Sequence, residues 1–236
     1  MNGGGIYQES DATVVIADNR IDHNDSSYGG GVAVVGEVGV GTGKVTLERN
    51  VITNNSGVQM GGGVFAQADH TRLYSNLIAA NESRVGGGLY VSADPKGHPI
   101  FANNTFADNV GSEFYAFIYG QLDLSNNVFR TSRSDHVGTC QILRHGTANF
   151  SDNLVFSTNG ATLVGECSIV GPLLNVDPQF VGGGSGTHAY ALQPTSPAID
   201  VGDNAAIEGH DRKDANGRPR IVGGTVDLGA LEFRGD

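Results

Sequence analysis

The sequence has no tryptophan, only two cysteines, two methionines and seven prolines in 236 residues, and few basic residues. Fourteen Lys and Arg stand against 25 Asp and Glu, which gives a formal net charge of −11. Only three of those bases are lysines, and there is no basic run. The chain therefore lacks the positive surface that binding to a phosphate backbone needs, and nucleic acid is not an expected partner.

Long hydrophobic runs are missing as well. No segment approaches the roughly 18 apolar residues of a membrane-spanning helix, so membrane insertion is not expected. The first residues, Met1-Asn-Gly-Gly-Gly, lack the charged and then apolar pattern of a signal peptide. We therefore expect any export signal to lie outside this sequence.

Glycine is abundant instead, at 36 of 236 residues, which is about twice the usual share. Because prolines are few, these glycines do not indicate linkers, and a hydrophobic fraction of 39% is enough to build a core. Disorder is therefore not expected. A chain of this length with an all-β repeat fold is commonly one domain.

An internal repeat organises most of the chain. Each copy places an asparagine two residues before an apolar residue, and successive copies are 31, 26, 28, 23 and 26 residues apart. A second apolar residue stands three positions earlier, a small polar residue stands five positions later, and glycine follows soon after. The anchor asparagines are Asn19, Asn50, Asn76, Asn104, Asn127 and Asn153.

Short alternating apolar segments separated by Gly and Asn are typical of β-strands joined by tight turns. Two or three such strands per copy predict a parallel β-helix in which each coil pairs with the next at about 4.8 Å. Asn at one turn position can stack its side-chain amides into a hydrogen-bonded ladder, and Gly supplies a positive φ at another corner. Leucine-rich, ankyrin and tetratricopeptide repeats are excluded because their own spacings or amphipathic helices are missing.

The Gly-Gly-Gly-Val/Leu and Asn-x-Ile-x-x-Asn copies between residue 3 and about 165 resemble the right-handed parallel β-helix superfamily. Its members include pectate lyases, polygalacturonases, pectin methylesterases and bacterial surface passenger domains. The copies look most like the generic bacterial β-helix repeats of surface and secreted proteins. The resemblance implies an all-β, single-stranded, right-handed solenoid, here of about six to eight coils, in an extracellular setting.

From about residue 171 the repeat fades into segments such as Asp177-Pro-Gln-Phe180 and Val226-Asp-Leu-Gly-Ala-Leu-Glu232. They are similar to the tail of many bacterial extracellular β-helix proteins, where it often precedes a surface anchor. We therefore expect residues 1–170 to form the repeats and 171–236 to form a last coil that caps the open end of the same domain. The chain begins inside a repeat, so we expect either that further sequence precedes it or that a second subunit covers the first coil in a homo-oligomer.

Cys140 and Cys167 stand at the same place in successive copies, in Gly138-Thr-Cys140-Gln-Ile142 and Gly165-Glu-Cys167-Ser-Ile169. Stacked neighbours about 4.8 Å apart fall within the Cα separation that a disulfide tolerates. The register therefore predicts a Cys140–Cys167 bridge, which suits a secreted or cell-surface protein. A stacked pair of reduced core cysteines is the alternative.

Outward-facing positions ahead of the anchor asparagines form a polar strip across four neighbouring coils. The strip contains Lys44, His70, Arg72, His98 and Asp123, and the turns that feed it add Asp69 and Asp94. The strand after the glycines places Phe65, Tyr90 and Tyr115 in the outward register, with Tyr119 nearby. Stacked exposed aromatics predict a platform for sugar rings, so the expected partner is a polysaccharide or a cell-surface glycan.

A lyase is the first reaction that fits the strip. It needs a base that removes the proton beside a uronate carboxylate and a cation that holds the resulting charge. His70 or His98 is the candidate base. Arg72 or Lys44 is the candidate neutraliser.

A glycoside hydrolase is the second reaction that fits. It needs two carboxyls roughly 5 to 9.5 Å apart, and Asp69, Asp94 and Asp123 are the candidates. Neither residue set matches the signature of a named β-helix enzyme. The competing interpretation is a non-catalytic surface passenger or adhesin, whose outer residues only keep the coils soluble.

Calcium is the one cofactor for which the sequence offers candidate ligands. Asp214-Ala-Asn216-Gly217 and the group of Asp18, Asp22 and Asp25 offer carboxylate oxygens. Neither stretch completes a calcium-binding loop, and turn formation is the favoured role for such residues. No cofactor or metal is therefore expected.

Overall fold

The computed structural model describes residues 3–9, 13–36, 44–183, 186–207 and 212–235. Within them the chain winds into seven coils, and each coil contributes one strand to each of three parallel seven-stranded sheets, A, B and C. Coils are numbered in chain order, so that coil 4 contributes the fourth strand of each sheet. This parallel solenoid confirms the predicted all-β fold.

Each coil passes from sheet A to sheet B to sheet C. Sheet A contains Ile6–Glu9, Val32–Val35, Val64–Gln67, Leu89–Ala93, Phe114–Ile118, His136–Ile142 and Thr162–Gly165. Sheet B contains Val14–Ala17, Lys44–Glu48, His70–Tyr74, Ile100–Ala102, Gln121–Ser125, Thr147–Ser151 and Ser168–Ile169. Sheet C contains Arg20–Asp22, Val51–Thr53, Leu77–Ala79, Thr105–Ala107, Val128–Thr131, Asn153–Ser157 and Leu173–Leu174. A short sheet D follows sheet C in coils 1 to 3, with Asp25–Tyr28, Ser56–Met60 and Glu82–Val85.

Residues one repeat apart lie above one another, as the repeat predicts. In sheet B, His70 pairs with Lys44. The next outward column of the same sheet runs unbroken through coils 2 to 6, with Thr46, Arg72, Ile100, Asp123 and Asn149. A linear pattern in the sequence therefore becomes a set of columns on the surface.

Inward-facing side chains fill the solenoid with a packed apolar core. Phe106 and Phe129 stack with ring centres 5.1 Å apart, and Phe114 lies 5.1 Å from Phe129 and 5.8 Å from Phe150. All four rings are fully buried. Because side chains occupy the interior, a ligand-binding surface has to lie on the outside of the coils.

The anchor asparagines form the predicted amide ladder at the corner between sheets B and C. In its middle, Asn104 Oδ1 accepts hydrogen bonds from the main-chain N and the Nδ2 of Asn76 at 2.9 and 3.0 Å. Its own Nδ2 donates to Leu73 O at 2.8 Å and to Asn127 Oδ1 at 3.0 Å. The residue before each anchor has a φ between 53° and 59°. The side-chain amides thus form hydrogen bonds with main-chain groups of this left-handed turn. Without them, those main-chain groups would be buried without partners.

A second ladder lies at the far end of sheet C, in the column five positions after the anchors. It consists of Asn24, Asn55, Asn81 and Asn109. Glu113 ends this ladder, because its carboxylate accepts from the main-chain N of Asn109 at 3.3 Å and from its Nδ2 at 2.5 Å. The carboxylate thus replaces the amide oxygen of a next asparagine. Burial raises the pKa of Glu113 to about 8, against the lowering effect of the Asn109 donors.

Cys140 and Cys167 form the predicted disulfide, with their Cα atoms 5.2 Å apart. The bond joins the sheet A strand of coil 6 to the first turn of coil 7. Coil 7 is short and largely exposed, so it buries little apolar surface of its own. Closing a loop of this length stabilises a folded chain by about 3.5 kcal/mol on the chain-entropy account, which offsets that small burial.

The described residues of the tail, 175–183, 186–207 and 212–235, lie along the outer face of sheet C. Apolar side chains of this tail pack on that face: Leu192, Ala198, Leu228, Ala230 and Leu231 contact the clusters of Leu77, Ala79, Ala107, Val128 and Leu154. Main-chain contacts fix the tail there, since Gly229 N donates to Asn126 O and Ala230 N donates to Thr105 Oγ1, both at 2.8 Å. Among the described residues from 171 onward, Leu173–Leu174 is the strand that continues the stack. In place of the expected cap on the open end, the described residues after Leu174 bury their apolar side chains against a side wall of the solenoid.

The remaining regular elements of the tail are short. They are the antiparallel strands Ile221–Val222 and Thr225–Val226 and the 3₁₀ turns Gly186–Tyr190 and Asn204–Ile207. In the part of the chain that the structure describes, no helix has the length and apolar character to cross a bilayer.

Candidate functional site

The turns between sheets A and B stack above one another in coils 4, 5 and 6. They comprise residues 94–99, 119–120 and 143–146, and they enclose a cleft of about 530 Å³ that we call the corner cleft. Its polar and aromatic wall consists of Lys96, His98, Tyr119, Gln121, Arg144 and His145. Main-chain hydrogen bonds hold the turns in place, since Gln121 N donates to Gly97 O at 3.0 Å and Thr147 N donates to Gly120 O at 2.9 Å.

Three basic side chains line the corner cleft, and none of them pairs with a carboxylate that the structure describes. Within the described residues, no carboxylate lies at ion-pair distance from Lys96, Arg144 or His145. The guanidinium carbon of Arg144 lies 5.8 Å from the ring centre of Tyr119, within the range of a cation–π contact. Lys96 and Arg144 are therefore cations without an ion-pair partner in the described part of the protein, so the cleft favours an anionic ligand although the whole chain carries −11.

His98 faces a carboxylate of the next coil. Its Nε2 lies 2.6 Å from Asp123 Oδ2, and both side chains are about one-third exposed. An ionised carboxylate only accepts hydrogen bonds, so Nε2 is the donor to Asp123, and in the neutral tautomer that this contact favours Nδ1 keeps its lone pair. Nothing in the described part of the chain pairs with Nδ1. The His98 ring can therefore take a proton from a bound molecule at Nδ1.

Asp123 is held in its ionised form by donors from three coils. Gln121 Nε2 donates to Oδ1 at 2.9 Å and to Oδ2 at 2.8 Å, and Asn149 Nδ2 donates to Oδ1 at 2.8 Å. Burial acts to raise the pKa of Asp123, but the hydrogen bonds from Gln121, Asn149 and His98 outweigh it and lower the pKa. The proton-donating acid of a hydrolase needs a raised pKa. Asp123 therefore fits the role of an orienting carboxylate instead.

The other two predicted carboxyls have different surroundings. Asp69 is 3% exposed, and its Oδ1 accepts a hydrogen bond from Asp94 N at 3.0 Å. Its expected place on the exposed strip is wrong, because the carboxylate turns inward to pair with the main chain of coil 4. Asp94 stays at the surface, where burial and the charge of Asp69 raise its pKa.

Lys44, His70 and Arg72 lie on the outer face of sheet B in coils 2 and 3, in the predicted register. Lys44 is exposed and the other two are half-buried. They continue the basic surface along the solenoid axis but do not line the corner cleft. The structure thus joins His98 to Asp123 and leaves these three predicted residues outside the cleft.

The predicted aromatic column forms, but its rings are layered. The rings of Phe65 and Tyr90 are 5.3 Å apart and 8° from parallel, and those of Tyr90 and Tyr115 are 5.7 Å apart and 7° from parallel. Each ring therefore covers a face of its neighbour, and Tyr28 packs edge-on against Phe65. Phe65 is only 4% exposed, so its expected role on an open sugar platform is wrong. Tyr119 is the predicted aromatic that lines the cleft.

Sequence reasoning missed Arg144 and His145 and gave Lys96 no role of its own. The turns that carry these residues differ in length between copies. The repeat therefore does not determine the positions of the side chains of Lys96, Arg144 and His145. Their one shared signal is position, since all three lie between a sheet A strand and a sheet B strand. Gln121 and Asn149 were visible as outward residues, but their hydrogen bonds to Asp123 were not.

Three of the carboxylates considered for calcium, those of Asp18, Asp22 and Asp214, are paired within the protein. Asp18 accepts two hydrogen bonds from Arg49 at 2.8 Å, and Asp22 lies 3.1 Å from His23 Nδ1. Asp214 Oδ1 accepts from the main-chain N of Asn216 at 2.9 Å, as in an Asx turn. Across the described ranges, no group of three or more His, Cys, Asp or Glu side chains could hold a metal ion.

The family follows from this architecture. The model of the family described as right handed beta helix region matches residues 1–171, which is well over half of the chain. The protein therefore belongs to the right-handed β-helix family, a fold shared by many proteins that act on polysaccharides. Comparison with curated proteins and with solved structures gives no match.

Proposed function

We propose that this protein binds an acidic polysaccharide in the corner cleft, outside the cytoplasm. The observation that carries the proposal is the convergence of Lys96, Arg144 and His145 around Tyr119, unpaired, in a chain of net charge −11. The disulfide supports a setting in an oxidising compartment.

The chemistry of the cleft fits a sugar that carries a carboxylate or a sulfate. A guanidinium presents parallel donors to such a planar or tetrahedral anion, and an ammonium adds a mobile positive charge. The Tyr119 ring supplies an apolar surface beside them. Along the axis, the coil spacing of about 4.8 Å is close to the length of one sugar unit, so successive charged groups can meet successive coils. Lys44 and Arg72 extend the same basic surface to coils 2 and 3.

Charge reversal in the corner cleft is expected to abolish this binding. Arg144→Glu and Lys96→Glu should each weaken the affinity for a polyuronate at least about tenfold, because each replaces an attractive charge with a repulsive one. Isothermal titration with a polyuronate and with an uncharged glucan of matched length measures the effect. The wild-type protein should bind the polyuronate only, and less tightly at high salt.

Arg84→Glu provides the matched control, since Arg84 is exposed on sheet D and the change in net charge is the same. It should leave the affinity within about twofold of wild type. If the wild-type protein binds neither glycan, or if Arg84→Glu weakens binding as much as Arg144→Glu, the cleft is not the site. The first of these results would favour the non-catalytic surface passenger.

Cleavage by β-elimination is a second candidate function, and the His98–Asp123 pair favours it. In this step Nδ1 of His98 takes the proton from the carbon beside the uronate carboxylate. The C–H electron pair forms a double bond to the adjacent carbon, the bond from that carbon to the leaving sugar oxygen breaks, and solvent protonates that oxygen. Arg144 and Lys96 would stabilise the negative charge that develops on the uronate carboxylate. The product is an unsaturated sugar that absorbs ultraviolet light.

His98→Gln tests the elimination directly. The cleavage rate should fall at least about 100-fold, because the base is lost, while the affinity for the polyuronate should change less than about threefold. His136→Gln is the control, since His136 is exposed on sheet A away from the cleft. An unchanged rate of ultraviolet-absorbing product in His98→Gln would remove His98 from the reaction.

A further inference from the structure

We propose that Asn149 and Gln121 are positioning residues, which lock the Asp123 carboxylate in one orientation and thereby align the His98 ring in the corner cleft. The inference rests on the proposed elimination, in which His98 is the base. It goes beyond that function because both amides act through Asp123. Asn149 lies outside the lining of the corner cleft, and Gln121 lines it while its Nε2 donates to both oxygens of the Asp123 carboxylate.

Four hydrogen bonds saturate the carboxylate from three successive coils. Oδ1 accepts from Gln121 Nε2 at 2.9 Å and from Asn149 Nδ2 at 2.8 Å. Oδ2 accepts from Gln121 Nε2 at 2.8 Å and from His98 Nε2 at 2.6 Å. Rotation of the carboxylate would break bonds at both oxygens. The acceptor that faces His98 is therefore fixed in place before any ligand arrives.

This arrangement is local to the coils that build the corner cleft. The column that carries Asp123 and Asn149 also contains Thr46, Arg72 and Ile100 in coils 2 to 4. Within the described residues, neither Thr46 nor Arg72 makes a side-chain hydrogen bond of this kind. A column selected only for solubility would carry polar residues along its whole length. In this column the hydrogen-bond donors converge on a carboxylate beside His98, which indicates that they have a specific role at that position. A base whose ring is held by a fixed carboxylate presents its other nitrogen in one direction, which is what proton transfer requires.

The charged and titratable groups around His98 come from its own turn, from its column and from the neighbouring turns of the cleft. They are His70, Asp94, Lys96, Asp123, Arg144 and His145. Asp69 joins them through its main-chain oxygen, which accepts from His98 N at 2.8 Å. Among these groups, Asp123 bonds to the His98 ring. A change in the protonation of Asp123 should therefore affect the His98 ring more than a change at any of the others.

Asn149→Ala and Asn149→Asp test the inference on the free protein and on the reaction. Carbon-13 NMR should show a higher pKa for Asp123 in Asn149→Ala, because a hydrogen bond that favours the carboxylate is lost. The cleavage kcat should fall about tenfold with KM within about twofold of wild type. In Asn149→Asp, a second carboxylate beside Asp123 should raise the pKa of the pair further and move the acidic limb of the pH–rate profile upward by at least about one unit. Asn149→Gln, which keeps an amide donor, should restore part of the activity.

Thr46→Ala is the matched control, since Thr46 lies in the same column in coil 2, and it should change neither the NMR titration nor the rate. An Asp123 titration that is identical in wild type and Asn149→Ala would overturn the inference, as would a changed titration with an unchanged pH–rate profile. The NMR measurement needs no substrate. If the wild-type protein fails to cleave a polyuronate, the proposed elimination is wrong, and so is the catalytic part of this inference. The NMR titration of Asp123 still shows whether Asn149 stabilises the Asp123 carboxylate.

Discussion

Asn104→Ala is expected to lower the free energy of unfolding by about 3–5 kcal/mol, the largest effect we predict for one side chain outside the apolar core. The substitution removes the acceptor of the Asn76 main-chain N and one of the two acceptors of its Nδ2. It also removes the side-chain donor to Leu73 O and one of the two donors to Asn127 Oδ1, which keeps the main-chain N of residue 104. All these groups are buried, so water cannot replace the lost partners. Chemical denaturation followed by circular dichroism measures the change.

Asn19→Ala is the matched control, because Asn19 stands in the same ladder but is exposed. It should cost less than about 1 kcal/mol, since water can reach the groups that it leaves. Asn104→Asp keeps the size and the acceptor but removes both donors, and it should be at least as damaging as alanine. A cost below about 1 kcal/mol for Asn104→Ala would show that the ladder does not stabilise the coils.

Stability is expected to fall as pH rises from about 5 to about 8, because of Glu113. Burial raises the pKa of this carboxyl to about 8 in the folded chain, above its ordinary value of 4.5. The folded state therefore binds the proton more tightly than the unfolded state, and the stabilisation is complete below about 4.5 and lost as pH rises through about 8. The difference amounts to at most about 5 kcal/mol. Glu113→Gln keeps an acceptor for Asn109 and should remove this pH dependence.

The measurement is the difference in unfolding free energy between wild type and Glu113→Gln at several pH values from 4 to 9. That difference should shift in favour of the glutamine variant as pH rises. Glu82→Gln, which changes an exposed glutamate on sheet D, should show a flat difference. A flat difference for Glu113→Gln as well would mean that the buried carboxyl does not titrate within this range.

The regular part of the molecule could be predicted because each coil repeats the same local physics. Parallel pairing at a constant spacing forces residues one repeat apart into columns. This is why the anchor ladder, the sheet B strip and the Cys140–Cys167 bridge all lie where the sequence placed them. Glu113 was not predicted as the end of the second ladder, because it stands outside the asparagine column and reaches it only through a long side chain.

The tail and the corner cleft depend on contacts that the repeat does not encode. The outer face of sheet C did carry a readable signal, since the residue after several anchors is apolar: Val51, Leu77, Val128 and Leu154. A strand with two apolar faces is covered on both sides, and here the tail covers the outer one. The cleft, by contrast, is built from turns of unequal length. Only the folded chain shows that Lys96, Tyr119 and Arg144 meet there.

A co-crystal structure with a short oligouronate tests the central claim most directly. The sugar chain should lie in the corner cleft, with one ring against Tyr119, a sugar carboxylate within hydrogen-bond distance of Arg144, and Nδ1 of His98 directed at the bound chain. An oligouronate found on sheet D or on the tail, or an empty cleft in a crystal grown with saturating ligand, would contradict the assignment of these three stacked turns as a glycan-binding site.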